Sequence, residues 1–333
     1  MHTTHNAPQL TLGDRLQGAL WGLLLGDATG VPYEFHGPRQ IPPFHEIELT
    51  PPVLFQRAHI GVPVGTWSDD GAHALALLDS LLECGGLDLY DLGQRLVEWY
   101  REGRYAVDRR VFDIGVQTSR ALNRLEQGVD PEQAGPNGEW DNGNGALMRV
   151  MPLALWHTGT DEALVADAHR QSLVTHGHLR SQICCAWYCL WARMELAGHA
   201  GSAQQALERL RMIYDAHWPA HRAELEDKLR PDAPEGPNGS GYVVDCLYSA
   251  IYATTAEDVR GVIRKAIALG NDTDTTACVA AGIAGARWGY SGLPQDWLRM
   301  LRGQALVQPL SDGLVARREA HLDDAWTYHP TVN

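Results

Sequence analysis

Two short stretches carry the residues best suited to chemistry. Near the C-terminal end, Gly270-Asn271-Asp272-Thr273-Asp274-Thr275-Thr276-Ala277 alternates carboxylates with hydroxyls before a run of small residues. Far upstream, Trp67-Ser68-Asp69-Asp70-Gly71 sets a hydroxyl and two carboxylates before an apolar run. Each has an ordinary explanation alone, because Ser is a good helix N-cap and acids in a first turn suit the helix dipole. Together they are harder to dismiss. Four carboxylates and two hydroxyls with few basic neighbours would repel one another if they converged, and their pKa values would rise. A divalent cation removes that cost, and an all-oxygen donor set favours Mg²⁺ or Mn²⁺. The expectation is that the two helix starts meet in space around a metal site.

The elements that must bring them together read as helices. Apolar residues at helical spacing predict a first helix over 12–26, ending at Gly26 with Pro32 beyond it. Further helices are predicted over 69–83, 88–102, 111–127, 146–156, 160–174, 178–197, 203–217, 242–253, 256–269, 275–289 and 294–307. Thr254 followed by Glu257 resembles a capping box. The Pro-rich stretch 36–65 is too long for a simple connector and reads as a lid or binding loop. Stretches 128–145 and 230–241 are further Pro/Gly/Asn loops. Clean strand alternation is hardly visible, so the expected fold is all-α, a compact orthogonal multi-helix bundle forming a single domain over 1–333.

Composition narrows the class. The 333 residues are 44% apolar and 20% charged, with a net charge of −14, which suits a globular core. That charge argues against nucleic acid or an anionic membrane as main partner. Six cysteines form no Cys-x-x-Cys pair, and Cys184, Cys185 and Cys189 lie in an apolar helical run. They read as buried reduced thiols in a reducing, cytoplasmic setting. The apolar runs 19–25 and 183–192 are too short to span a bilayer, and the first residues lack the pattern of a signal peptide.

Six motifs follow one another along the chain: Gly26-Asp27-Ala28-Thr29-Gly30-Val31-Pro32-Tyr33-Glu34-Phe35, Trp67-Ser68-Asp69-Asp70, Asp113-Ile114-Gly115, Asn142-Gly143-Asn144-Gly145-Ala146-Leu147-Met148-Arg149, Thr175-His176 and the 270–277 stretch. Taken together and in this order they resemble the ADP-ribosylglycohydrolase family, which includes dinitrogenase-reductase-activating glycohydrolase and the ADP-ribosylarginine hydrolases. The 26–35 stretch looks like the family's N-terminal motif, and Trp67-Ser68-Asp69-Asp70 looks like its first metal motif, with Ser68 where Thr is usual and the hydroxyl kept.

The resemblance implies an all-α fold with a binuclear Mg²⁺ or Mn²⁺ centre. Its ligands would be Ser68, Asp69, Asp70, Asp272, Asp274 and Thr275. It also implies catalytic roles for Glu34, Asp113 and Asp70, with Glu34 near the metals and the scissile bond and Asp113 as an acid/base or water-orienting residue. Asn142, Gly143, Asn144, Gly145, Met148 and His176 would contact an ADP-ribosyl ligand. The expected activity is hydrolysis of the bond joining ADP-ribose to a modified acceptor, N-linked ADP-ribosyl-arginine on protein foremost. Serine-linked, nucleic-acid-linked or small-molecule ADP-ribosyl compounds are alternatives, as is a silent ADP-ribose-binding or structural role. The chemistry is consistent: carboxylates stabilise an oxocarbenium-like transition state, and a helix beginning at Ala146 would turn its positive end toward phosphates. Asp27 reads either as a turn-closing residue or as part of the site. Arg149 reads either as a phosphate-binding residue or, with slight preference, as pairing with a core acid, and His178 reads as exposed. The Asp-x-Asp-x-Thr pattern at 272–276 also fits aspartate-nucleophile phosphatases, but there it should follow a β-strand near the start of a domain.

Overall fold

The structure, a computed structural model, describes residues 10–199 and 202–327. Among them, fifteen α-helices supply the regular structure and no strand is present; Gly143 and Tyr242 form a lone bridge. In chain order these are α1 (Leu12–Gly30), α2 (Asp69–Cys84), α3 (Leu89–Glu102), α4 (Val116–Glu126), α5 (Pro131–Ala134), α6 (Met151–Trp156), α7 (Asp161–Leu173) and α8 (Leu179–Leu196). There follow α9 (Ser202–His217), α10 (Pro219–Glu224), α11 (Val243–Ala253), α12 (Val259–Ile267), α13 (Thr273–Trp288), α14 (Gln295–Met300) and α15 (Gln304–Thr327). The all-α expectation holds.

The closest packing joins α1 to α13, helices from opposite ends of the chain. Gly18, Gly22, Gly26 and Gly30 recur every four residues and so share one face of α1. A Cβ at Gly26 would lie 2.2 Å from the Ala277 carbonyl oxygen, and one at Gly30 would lie 2.4 Å from Asp274 Cα. The two backbones therefore touch, and hydrogen at these positions is what allows it. Thr273 Oγ1 donates to the Gly30 carbonyl at 2.8 Å and pins the end of the pair. This corrects the predicted stop at Gly26: the glycine is an interface residue inside the helix, not an exit, and α1 continues to Gly30.

Other boundaries move for identifiable reasons. Residues 111–115 are not helical, and α4 begins only at Val116. Asp113 has φ 61°, in the left-handed region that a helix excludes. The predicted helix 146–156 is turns through 149 and a helix only from Met151, with Pro152 near its start. The Thr254/Glu257 capping box is not formed; Asp258 caps α12 instead, accepting from the Gly261 N–H at 2.6 Å. The helix predicted over 294–307 is two, because Gly303 at φ 72° breaks the run before α15. His178 is part-buried rather than exposed, and its ring caps α8 by accepting from the Arg180 N–H.

The Pro-rich stretch 36–65 has a fixed base. Ile47 and Leu49 are buried. The Glu48 carboxylate accepts from Arg260 at 2.9 Å, from Trp297 Nε1 at 2.6 Å and from Arg264. Its tip differs, with Val53, Leu54 and Ile60 almost wholly exposed.

Candidate active site

Asp27 joins the framework to the site. It is buried one turn before the end of α1, and its carboxylate accepts from the Ser68 N–H at 2.9 and 3.1 Å and from the Gly71 N–H at 2.8 Å. Those are amides that the start of α2 leaves without helical partners. Burial pushes the Asp27 carboxyl up to about 7, against the lowering effect of the same amides. Since α1 also touches α13, Asp27 brings the first turn of α2 to the first turn of α13.

There the two acidic stretches meet. Thr275 Oγ1 donates to Asp70 Oδ2 at 3.4 Å, and Ser68 Oγ donates to the same oxygen at 3.1 Å. Asn144 Nδ2 donates to Asp272 Oδ2 at 2.8 Å. Oxygens of Glu34, Asp272 and Asp274 lie within 4.8 Å of one another. The N–H of Phe35 and the carbonyl of His36 bond the Asn271 backbone at 2.8 and 2.6 Å, which holds Glu34 beside the start of α13. Among the described residues, no arginine or lysine lies within 4.0 Å of these carboxylates; Glu34 pairs with His59.

The electrostatic cost is plain. Burial, then the neighbouring acids Asp113, Asp272 and Asp70, push the Glu34 carboxyl up to about 11. Asp69, Asp70 and Asp274 are held well above the carboxylate range, first by burial and then by one another and their neighbours. Burial raises Asp272 too, while the Asn144 hydrogen bond opposes it. Asp70 Oδ1 and Asp274 Oδ2 are buried and have no hydrogen-bond partner. Buried carboxylate oxygens without partners are rare, and hard oxygens gathered without a cation suit divalent metal. The residues present fit such a group.

These residues open onto a cleft of about 220 Å³. Glu34, Asp69, Asp70, Asp113, Asp272 and Thr275 form its acidic side, and Gly143, Asn144, Gly145 and Met148 face them. Ser68, Asp274, Asn142 and His176 sit behind the wall, each less than a tenth exposed. Gln117, Thr118 and Gly241 also line the cleft and were not anticipated. The start of α4 and the chain before α11 place them there, and no local pattern marks them in the sequence.

The glycine-rich loop is braced from below. His176 lies under it, where a Cβ at Gly145 would meet the imidazole at 2.8 Å. His176 Nδ1 is 2.9 Å from Thr175 Oγ1, which also accepts from Arg149. Arg149 pairs with no acid, contrary to expectation. It donates to the Gly145 carbonyl at 3.1 Å and to the Gln171 carbonyl at 2.7 Å, and burial lowers it to about 10. The loop is followed by turns and not by a helix, so the helix start expected at Ala146 is not there to face phosphates.

A helical fold with a buried carboxylate centre beside a glycine-rich loop defines a narrow class. The sequence profile of the ADP-ribosylglycohydrolase family matches residues 8–323, and the chain belongs to that family. The chain is similar to ADP-ribosylarginine hydrolase Tri1 of Pseudomonas putida, at 32% identity over 91% of this chain and 78% of that protein. It is also similar to the ADP-ribosyl-[dinitrogen reductase] glycohydrolase of Rhodospirillum rubrum, at 28% identity over 86% and 90%. A solved structure described as an ADP-ribosylglycohydrolase-related protein complex superposes with a TM-score of 0.73 and 32% identity, covering 92% of this chain and 98% of that one. Among the described residues no helix is long and apolar enough to cross a membrane.

Proposed function

We propose that the protein is a hydrolase that releases ADP-ribose from a modified acceptor, with N-linked ADP-ribosyl-arginine on a protein as its preferred substrate. Two divalent cations, Mg²⁺ or Mn²⁺, would be held by Ser68, Asp69, Asp70, Asp272, Asp274 and Thr275. The observation that carries this reading is the pair of unpartnered buried oxygens, Asp70 Oδ1 and Asp274 Oδ2, on helices whose first turns meet in one cleft. The arginine acceptor is supported by the names of the relatives and by the acidic side of the cleft, which suits a guanidinium group. The six unpaired cysteines suit a reducing, cytoplasmic setting.

When bound, the cations supply Lewis acidity that lowers the pKa of water and orients ribose hydroxyls. The chain's own groups do the rest. Breaking the glycosidic bond builds positive charge on the ribose, which the acidic side of the cleft stabilises. Glu34 and Asp113 offer carboxyl oxygens within 4.8 Å of each other. One takes a proton from attacking water and the other gives one to the leaving nitrogen. Gly143 and Gly145 add no side chains to the opposite wall, so the diphosphate can approach backbone amides there, while Asn142, Met148 and His176 hold that wall's shape.

The test is turnover of a panel of defined ADP-ribosyl linkages with and without Mg²⁺ or Mn²⁺. Metal-dependent release from arginine is expected. Release only from another linkage would replace the acceptor, and binding without turnover would establish a silent ADP-ribose-binding protein.

A further inference from the structure

If Glu34 is the proton-handling carboxyl proposed above, something must fix its direction, because its side chain is long and follows a short 3-10 turn at Val31–Tyr33. We infer that His59 is a positioning residue for Glu34, presented by an arm of the Pro-rich stretch that is fastened on both sides of the cleft mouth. This inference rests on the assignment of Glu34.

His59 Nε2 lies 2.6 Å from Glu34 Oε2. With the proton on Nε2 it donates to that oxygen and leaves Oε1 for water or the acceptor. The imidazole makes tilted contacts with two phenyl rings, Phe35 at 5.4 Å and Phe112 at 5.1 Å between centroids. Phe35 follows Glu34 in the chain, and Phe112 precedes Asp113. One ring therefore contacts the neighbours of both proton-handling carboxyls.

The backbone points to the same place. Phe35, His59 and Asp113 have φ of 62°, 48° and 61°. Three residues with side chains thus adopt left-handed conformations on three separate segments that converge on one carboxyl. Such strain persists only where surrounding contacts over-determine it. Those contacts are present. The Ala58 N–H donates to the Pro32 carbonyl at 2.9 Å. Arg57 Nη2 donates to the carbonyls of Ile60 at 2.8 Å and Val62 at 2.6 Å, and closes the arm on itself. Arg110 donates to the Gly61 carbonyl from the segment that carries Asp113. The arm is tied to the Glu34 side and to the Asp113 side at once.

The experiment compares the intact protein with His59→Phe, which keeps an aromatic ring against Phe35 and Phe112 but cannot donate, and with His59→Gln, which restores an N–H donor. Loss of a group that orients a reacting residue costs about 10- to 100-fold in rate. We expect His59→Phe to lower kcat on the ADP-ribosyl substrate by that factor, with KM, ADP-ribose affinity and Mn²⁺ uptake unchanged, and His59→Gln to recover most of it. Wild-type kcat in His59→Phe, equal loss in both variants, or a loss carried by KM would overturn the inference. A crystal structure of His59→Phe reads the same claim without turnover: Glu34 should leave its present position, and an unmoved Glu34 would refute it. If the wild type turns over no linkage at all, the proposed function fails instead, and the Glu34 rotamer still decides the role of His59.

Discussion

Substituting Gly30 by alanine should disable the site without touching a carboxylate. A Cβ there would lie 2.4 Å from Asp274 Cα and from the Thr273 carbonyl oxygen, whereas ordinary contact begins near 3.4 Å. The start of α13 must therefore retreat by about 1 Å, because the obstructing atoms are backbone and cannot rotate away. Asp272, Asp274 and Thr275 would retreat from Asp69 and Asp70, which Asp27 holds to α1. A misplacement of that size costs about a hundredfold in rate, equivalent to roughly 2.7 kcal/mol of transition-state stabilisation. Overpacking of this kind costs about 1–3 kcal/mol in stability. The assays are kcat on ADP-ribosyl-arginine, Mn²⁺ titration calorimetry and denaturant unfolding. Gly86→Ala is the control, since nothing lies within 4 Å of a Cβ there. Wild-type turnover and metal uptake in Gly30→Ala would refute the claim that the helix contact sets the site.

Asp27→Ala leaves the buried N–H groups of Ser68 and Gly71 without their acceptor, at about 1–3 kcal/mol for each; denaturant unfolding should show the loss and calorimetry should show weakened metal binding. Arg149→Met strips the Gly145 and Gln171 carbonyls of a buried donor, so KM should rise while Mn²⁺ affinity holds; the reverse pattern would remove Arg149 from the support of the loop. Adding Mg²⁺ or Mn²⁺ to chelated protein should raise the thermal midpoint, because cations relieve the repulsion among Asp69, Asp70, Asp272 and Asp274; an unchanged midpoint at saturating metal counts against the site. Burial lowers His169 to about 3, and burial with Arg193 lowers His157 to about 4. Below its ordinary value near 6.5 each is protonated first in the unfolded chain, so stability should fall as pH drops from there toward 4. His169→Phe should flatten that slope by about one proton, and an unchanged slope would show that His169 is not the group responsible.

The chemistry was more legible than the framework. Asp69, Asp70, Asp272, Asp274 and Thr275 sit in contiguous stretches, so their donor types show directly in the sequence. Asn144 and Met148 sit in a glycine-rich loop that is equally local. The framework depends on contacts between distant segments. Gly26 reads as a helix stop because glycine weakens helices locally, yet here it admits the α13 backbone. Asp113 suits the first turn of a helix on local grounds, but the three-segment junction at the cleft mouth holds it outside one. His59 gives no signal at all: it lies in a stretch without periodicity, and its role is visible only once Phe35, Phe112 and Glu34 surround it. Arg149 reads locally as a charge that needs an acid, and the structure satisfies it with carbonyls and the Thr175 hydroxyl.

The most direct test is anomalous scattering from Mn²⁺-soaked crystals. Two manganese peaks are expected in the cleft between α2 and α13, with Asp70 Oδ1 and Asp274 Oδ2 both at coordinating distance. Manganese elsewhere, or a cleft in which those two oxygens bond only to water or protein, would contradict this expectation.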